Sequence, residues 1–289
     1  MTRSCLVLTA WSLTTFSLWG CLGTPTPLAP GLGGSVGWPH HGVQTGAVEL
    51  PEAGPGFVRY RKVGGFNWGQ PALVRAVKAA ALEVQTALPG GGPLVVGDLS
   101  ARGGGQVVRH ATHRSGRDVD LLWYMTTPEG APIENAHFVQ LGSDGLGRSP
   151  DGGFVQLDVA REWQLVKSLL SSQQIDAQWM FASHAVEALL IDYAIASGED
   201  PELIWRAENV LQEPADALPH DDHLHLRIAC SPQESVRGCQ GGGPYWSWLP
   251  TLGPDTWALS QNALPQELQA LGTDLEDADL DGSDLEELL

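Results

Sequence analysis

Apolar residues along the chain recur with two different periods, separated by irregular stretches. From Pro71 to Leu88 the apolar positions Leu73, Val74, Val77, Ala81, Val84 and Leu88 fall on one face of a 3.6-residue repeat. Pro71 suits a first helical position, and Pro89-Gly-Gly-Gly-Pro93 ends the run. Leu94-Val-Val96 reads as a short core strand. Asp158 can cap a helix to Leu170 with Val159, Trp163, Val166, Leu169 and Leu170 inward. Residues 176–181 read as a strand. Ser183 can cap a helix whose stripe is Val186, Leu189, Leu190, Tyr193 and Ala194, and Asp200-Pro201 opens a third short helix after it. Two short runs have period two instead: Asp118-Val-Asp-Leu121, and His223-Leu-His-Leu-Arg-Ile228, which alternates as a half-buried strand does. Residues 36–66 read as loop-rich, and 126–157 as an irregular insertion. No internal repeat is present. Helices and strands interleave irregularly, so the expected fold is α+β with a central, mainly antiparallel sheet flanked by helices.

The two period-two runs also carry the candidate chemistry. Arg109-His-Ala-Thr-His-Arg-Ser-Gly-Arg-Asp-Val-Asp120 and His220-Asp-Asp-His-Leu-His225 hold five of the nine histidines. Alternation puts His223, His225 and Arg227 on one strand face, and Asp118 with Asp120 on another. Side by side, the two strands bring imidazole and carboxylate to one point. Zinc takes His nitrogen and Asp oxygen, and a catalytic site keeps three protein ligands and a water. His113, Asp120 and His225 would make that set. Gly116 could let the backbone turn from loop into strand. Asp118 is a candidate to orient the ligands from behind, and Asp98 either does the same or serves a turn. His40-His41, His137 and His184 lack metal-like spacing and read as surface residues. Gly103-Gly-Gly105 lacks the Lys-Ser/Thr of a phosphate loop and reads as a rim of the cleft.

Composition narrows the partners. The formal net charge of -18 disfavours nucleic acid. Residues 1–20 read as an export signal: Arg3 is followed by a mostly apolar run, too short to span a membrane. Leu18-Trp-Gly-Cys21 suits a lipoprotein cleavage site with a lipid on Cys21. The rival is ordinary cleavage slightly later, with Cys21 free. Residues 21–35 would be a Gly/Pro-rich tether. Removing Cys5 with the signal and lipidating Cys21 leaves Cys230 and Cys239, which an oxidising compartment would join. Tyr245, Trp246 and Trp248 could stack on glycan or dock the end of a 36–252 domain onto its core. From Glu267 onward there are nine acidic residues and no basic one, so 253–289 reads as a disordered acidic tail of unknown partner. Asp277-Ala-Asp-Leu-Asp-Gly282 copies the start of a calcium loop, but Leu288 stands where its bidentate Glu is expected.

The motif His113-x-x-Gly116-x-x-x-Asp120, followed far downstream by His223-x-His225, resembles that of the zinc peptidases related to lysostaphin, the D-Ala-D-Ala metallopeptidases and the hedgehog fold. Gly97-Asp-Leu-Ser100, His110-Ala-Thr-His113 and His220-x-x-His223-x-His225-x-Arg227, with Cys230 soon after, resemble the penicillin-insensitive murein endopeptidases more closely. The resemblance spans about residues 35–250. It implies a hedgehog-like fold, one catalytic Zn²⁺, a periplasmic location, and a zinc-activated water that hydrolyses D-alanyl-diaminopimelate cross-links of peptidoglycan. It suggests His223 as general base, with Asp222 the competitor, because the D-Ala-D-Ala peptidases place an acidic residue there. His110 and His220 would line the site, either stabilising the anionic intermediate or serving as structural hydrogen-bonders. Arg227 would be a substrate-carboxylate clamp or a strand-edge residue. Two alternatives stay open: a D,D-carboxypeptidase of stem peptides, and a non-catalytic zinc-containing wall-binding module.

Overall fold

The computed structural model describes residues 25–61, 64–215, 217–241 and 243–249. The export signal, Cys21, the acidic tail and its calcium-like segment lie outside these residues. The chain opens with five short strands, β1 (Gly34–Trp38), β2 (His41–Thr45), β3 (Val48–Glu49), β4 (Ala53–Gly54) and β5 (Phe57–Arg59). β6 (Trp68–Gly69), α1 (Pro71–Ala87), β7 (Leu94–Val96), β8 (Asp118–Leu121) and β9 (Met125–Thr126) follow. Then come β10 (Leu146–Arg148), β11 (Phe154–Leu157), α2 (Val159–Leu170), β12 (Ala177–Phe181), α3 (His184–Ala196) and α4 (Pro201–Val210). β13 (Leu211–Gln212), β14 (Leu224–Ile228) and α5 (Pro232–Val236) complete the described elements.

Seven strands form the central sheet in the order β13-β12-β14-β8-β7-β5-β4. Only β12–β13 and β5–β7 pair in parallel; the other four pairings are antiparallel. The expected α+β class with a mainly antiparallel sheet is therefore observed. The helices start where local chemistry puts them. Asp158 accepts from the Arg161 amide, Ser183 from Val186 and Asp200 from Glu202, while Pro71 and Pro201 open their helices. Among the described residues no helix is long and apolar enough to cross a membrane.

One expectation needs correction, and two gain detail. Residues 36–66, expected to be loop-rich, also carry the end of β1 and all of β2 to β5, each strand two to five residues long, with glycines at 37, 42, 54 and 56 that interrupt any readable alternation. The 126–157 insertion is irregular over most of its length, as expected, but also carries a small three-stranded sheet, β10-β11-β9. Finally, β14 is buried along its whole length, not half-buried. Leu224, Leu226 and Ile228 face the core. Its polar face is covered as well, by His113 against His225 and by Phe181 beside Arg227.

α2 packs against α1, α3 and α4 and so buries more than its apolar stripe, including Leu165 and Glu162. Glu162 Oε2 accepts the Tyr124 amide at 3.1 Å, while Oε1 has no partner among the described residues. Burial, against the opposing pull of that amide, pushes its carboxyl up to about 8. The folded chain then holds a proton that the unfolded chain releases above its own carboxyl pKa. This contribution is present below the unfolded value of 4.5 and is lost as pH rises toward 8, at about 1.4 kcal/mol per pH unit. Glu162→Gln keeps the amide contact and removes the proton. Its melting temperature relative to the parent should therefore rise steadily from pH 5 to pH 8. A pH-independent difference would show that Glu162 is not the group responsible.

Candidate metal centre

β8 and β14 pair antiparallel, with His225 opposite Asp120 and Arg227 opposite Asp118. All four side chains share one face, as alternation requires. His113 arrives from the preceding loop with φ 63°, in the left-handed region that few non-glycine residues adopt. Gly116 follows at φ 78°, where a Cβ would collide with the Gln44 amide. The turn expected at Gly116 is thus observed, with a packing reason for glycine added. Gly97 has a similar role: a Cβ there would sit 3.0 Å from Asp120 Cβ.

At the centre His113 Nε2 lies 3.2 Å from Asp120 Oδ1, and His225 Nδ1 lies 3.1 Å from the same oxygen. The two ring nitrogens are 3.3 Å apart. The outer nitrogens fix the tautomers. His113 Nδ1 is 3.0 Å from the Leu99 carbonyl, which can only accept, so the proton sits on Nδ1. His225 Nε2 is 2.9 Å from Asp118 Oδ1, so it donates there. In the neutral rings both inner nitrogens therefore present lone pairs, beside a carboxylate that has no hydrogen-bond donor among the described residues. Three electron-pair donors meet with no proton among them. Such a set fits a metal cation.

With no cation bound, the carboxylate instead draws protons onto the neighbouring imidazoles. Burial lowers the His113 pKa, but the Asp120 carboxylate outweighs it and the net shift is upward. Burial would raise Asp120, yet His113 and His223 hold it well below the usual carboxylate range. Asp118 is likewise held low against burial, by Arg227 and His225.

Asp222 Oδ1 lies 2.5 Å from His223 Nδ1, which turns His223 Nε2 inward to 3.3 Å from Asp120 Oδ1. Burial works against protonation, but Asp120 and Asp222 together push His223 up to about 10. The ring meets Phe138 edge-on at 5.3 Å. His220 Nδ1 faces the Leu218 carbonyl at 3.1 Å. Burial first, then the neighbouring His225 and His223, lower His220 to about 3. Its Nδ1 is thus taken by a backbone carbonyl, and its other ring nitrogen is left as an acceptor. His110 Nε2 lies 3.1 Å from Asp98 Oδ2 and 3.7 Å from Asp120 Oδ2. It bridges two carboxylates.

Six of the seven site residues read from the sequence thus fall in two groups of potential ligands, His110, His113 and Asp120, and His220, His223 and His225; the seventh, Asp222, pairs with His223. Asp118 stands behind His225, and Asp98 behind His110. Arg227 is neither a substrate clamp nor an edge residue. It is buried, donates from Nε to Asp118 Oδ1 at 2.6 Å and lies over Phe181. Within the 103–105 run, Gly104 packs its backbone on Val43 and Gln44 of β2, while nothing packs against Gly103 and Gly105. His40 stacks near Trp38, His137 pairs with Asp151, and His184 pairs with Glu187, all outside both groups. Trp246 donates to the Gln178 carbonyl and stacks with Trp248, which meets Trp205, so the terminal aromatics dock on the domain.

No pattern along the chain points to Arg117. This fully buried guanidinium holds Ser35 Oγ, the Ile228 carbonyl and the Gln240 carbonyl, tying β1 and the chain after β14 to the start of β8. The Cys230–Cys239 disulfide, expected from the cysteine count, closes the same region just past β14.

An α+β fold whose central strands converge histidines and a carboxylate defines a protein with a candidate metal-binding active site. Residues 35–144 match the family model described as penicillin-insensitive murein endopeptidase, the family that the sequence resembles. That stretch contains His110, His113 and Asp120. The match supports a murein endopeptidase, a hydrolase whose substrate is peptidoglycan. No curated protein matches the chain.

Proposed function

We propose that the chain is a zinc-dependent murein endopeptidase that hydrolyses D-alanyl-diaminopimelate cross-links in the periplasm, anchored through a lipid on Cys21. The observation that carries the reading is the meeting of His113 Nε2, His225 Nδ1 and Asp120 Oδ1. Ligand atoms at about 2.0–2.1 Å from a tetrahedral zinc lie about 3.3–3.4 Å from one another. The three separations here are 3.3, 3.2 and 3.1 Å.

Zinc bound there supplies a Lewis acid for the scissile carbonyl and lowers the pKa of water to near neutrality. The chain's own groups orient and move protons. The Leu99 carbonyl and Asp118 fix the orientation and tautomer of the two ligand rings. Asp222 holds the outer nitrogen of His223, and a cation balancing Asp120 would lower His223 from its raised value, so that Nε2 could take the proton of the attacking water and return it to the leaving amine. This arrangement favours His223 over Asp222 as the base. Asp98 steadies His110 on one wall, and Phe181 with His220 forms the other.

Purified muropeptide dimers and pentapeptide monomers, each incubated with the protein and resolved by mass, test the reading. Conversion of dimers to monomers is expected. Loss of terminal D-alanine alone would move the assignment to a carboxypeptidase. Stoichiometric zinc with no cleavage of either would leave a wall-binding module.

A further inference from the structure

We propose that Arg61 and Arg109 form a carboxylate-binding subsite that holds the free carboxylate of the residue whose nitrogen is the leaving group. The proposal rests on the peptidase reading above and deepens it. Arg61 Nη1 and Arg109 Nη2 reach the same atom, Asp98 Oδ2, at 3.3 and 3.2 Å. His110 Nε2 reaches that oxygen too, at 3.1 Å, and its own neighbour is Asp120 of the metal centre. Asp98 therefore anchors two guanidiniums one imidazole away from the reacting position.

Two positive charges face one negative charge here, so the group keeps a net positive charge in a chain whose total is -18. Asp98 is spent as the anchor, with a side chain only 10 % exposed, while those of Arg61 and Arg109 are 37 % and 54 % exposed. Each guanidinium uses one nitrogen, and neither has a second acceptor among the described residues. A guanidinium carries five N–H donors in a planar fork that matches a carboxylate. Arg61 and Asp98 also line a small surface cleft with Gly65, Asn67 and Gly97.

Arg109 adopts φ 75° as the third residue of a turn closed by the His110 amide on the Val107 carbonyl, and its side chain reaches back onto Asp98.

The chemistry of the ligand follows. In a D-alanyl-diaminopimelate link, the carbon bonded to the scissile nitrogen carries a free carboxylate. A stem peptide ending in D-alanine presents the same group at its chain end. The Arg61–Arg109 pair would hold that carboxylate while the amide carbonyl lies over the metal centre.

The test compares three substrates with the full-length zinc-loaded protein and its Arg61→Gln/Arg109→Gln variant. They are a cross-linked dimer with the free diaminopimelate carboxylate, the same dimer as its carboxamide, and a pentapeptide ending in D-alanine. The parent should prefer acid over amide by roughly 10- to 100-fold in kcat/KM, the range of a hydrogen-bonded charge pair. In the variant that preference should fall to about one, through KM. Arginine dependence on the pentapeptide as well would mean that chain ends use the same subsite. Dependence on the dimer alone would restrict it to cross-links. A parent without acid preference, or a variant that keeps it, overturns the proposal. If the parent cleaves none of the three, the peptidase reading fails, and calorimetry with a diaminopimelate-terminated tripeptide decides the subsite separately. Binding at least ~10-fold weaker in the variant upholds it, and no binding by the parent overturns it. Should the double variant not fold, each single Gln variant serves in its place.

Discussion

Asp120→Ala is expected to remove the bound metal and, with it, hydrolysis. Asp120 Oδ1 is the shared corner of the site, 3.2 Å from His113 Nε2, 3.1 Å from His225 Nδ1 and 3.3 Å from His223 Nε2. Without it two neutral imidazoles remain, and no anionic ligand balances the cation. A Lewis acid contributes several kcal/mol of charge stabilisation, so the rate should fall by more than about 10³-fold. Metal content measured alongside should drop from about one ion per chain to near zero. Binding should also be proton-coupled. The raised pKa of His113 means that protons compete with the metal, so affinity weakens as pH falls through that raised value. Calorimetry in two buffers of different ionisation enthalpy reads the displaced protons. A variant that loses activity yet keeps its metal would move Asp120 out of the ligand set.

His223→Ala should keep the metal and still lose about 10²- to 10⁴-fold in kcat, the usual contribution of a general base. Asp222→Asn should cost less, about 10- to 100-fold, because Asp222 acts through the imidazole. The pH profile separates the two residues. A base works only when unprotonated, so activity is lost on the acid side of its pKa. The Asp222 carboxylate helps to raise the His223 pKa. Removing it should shift the acid limb of kcat/KM to lower pH. If Asp222→Asn abolishes activity while His223→Ala leaves most of it, Asp222 is the base and the inward turn of His223 has another purpose.

Much of this site was legible in the chain before any fold. Alternation in 118–121 and 223–228 placed Asp120 with Asp118, and His225 with His223, on common faces, because side-chain direction in a strand has period two. Caps at Asp158, Ser183 and Asp200 were equally readable, since each side chain answers a local backbone need. The register was not readable. That His225 stands opposite Asp120 depends on pairing between segments about a hundred residues apart. The tautomers were hidden as well, because they depend on the Leu99 carbonyl and on Asp118. Arg227 was misread because a strand pattern says which face a residue occupies, not whether another layer covers that face. Arg117 carried no signal at all, since its partners, Ser35, Ile228 and Gln240, are assembled only by the tertiary fold. The strands of residues 34–59 escaped for a simpler reason: two- to five-residue strands broken by glycine never sustain a period.

In the function proposed above, a single zinc held by His113, Asp120 and His225 powers cleavage of peptidoglycan cross-links. Titrating zinc into metal-free protein, with the conversion of cross-linked muropeptide dimers to monomers followed by mass, tests this. No conversion is expected without metal, then a linear rise and a plateau at one zinc per chain that His113→Ala never reaches. Equal cleavage by the metal-free protein, or a fully loaded protein that leaves the dimers intact, would contradict it.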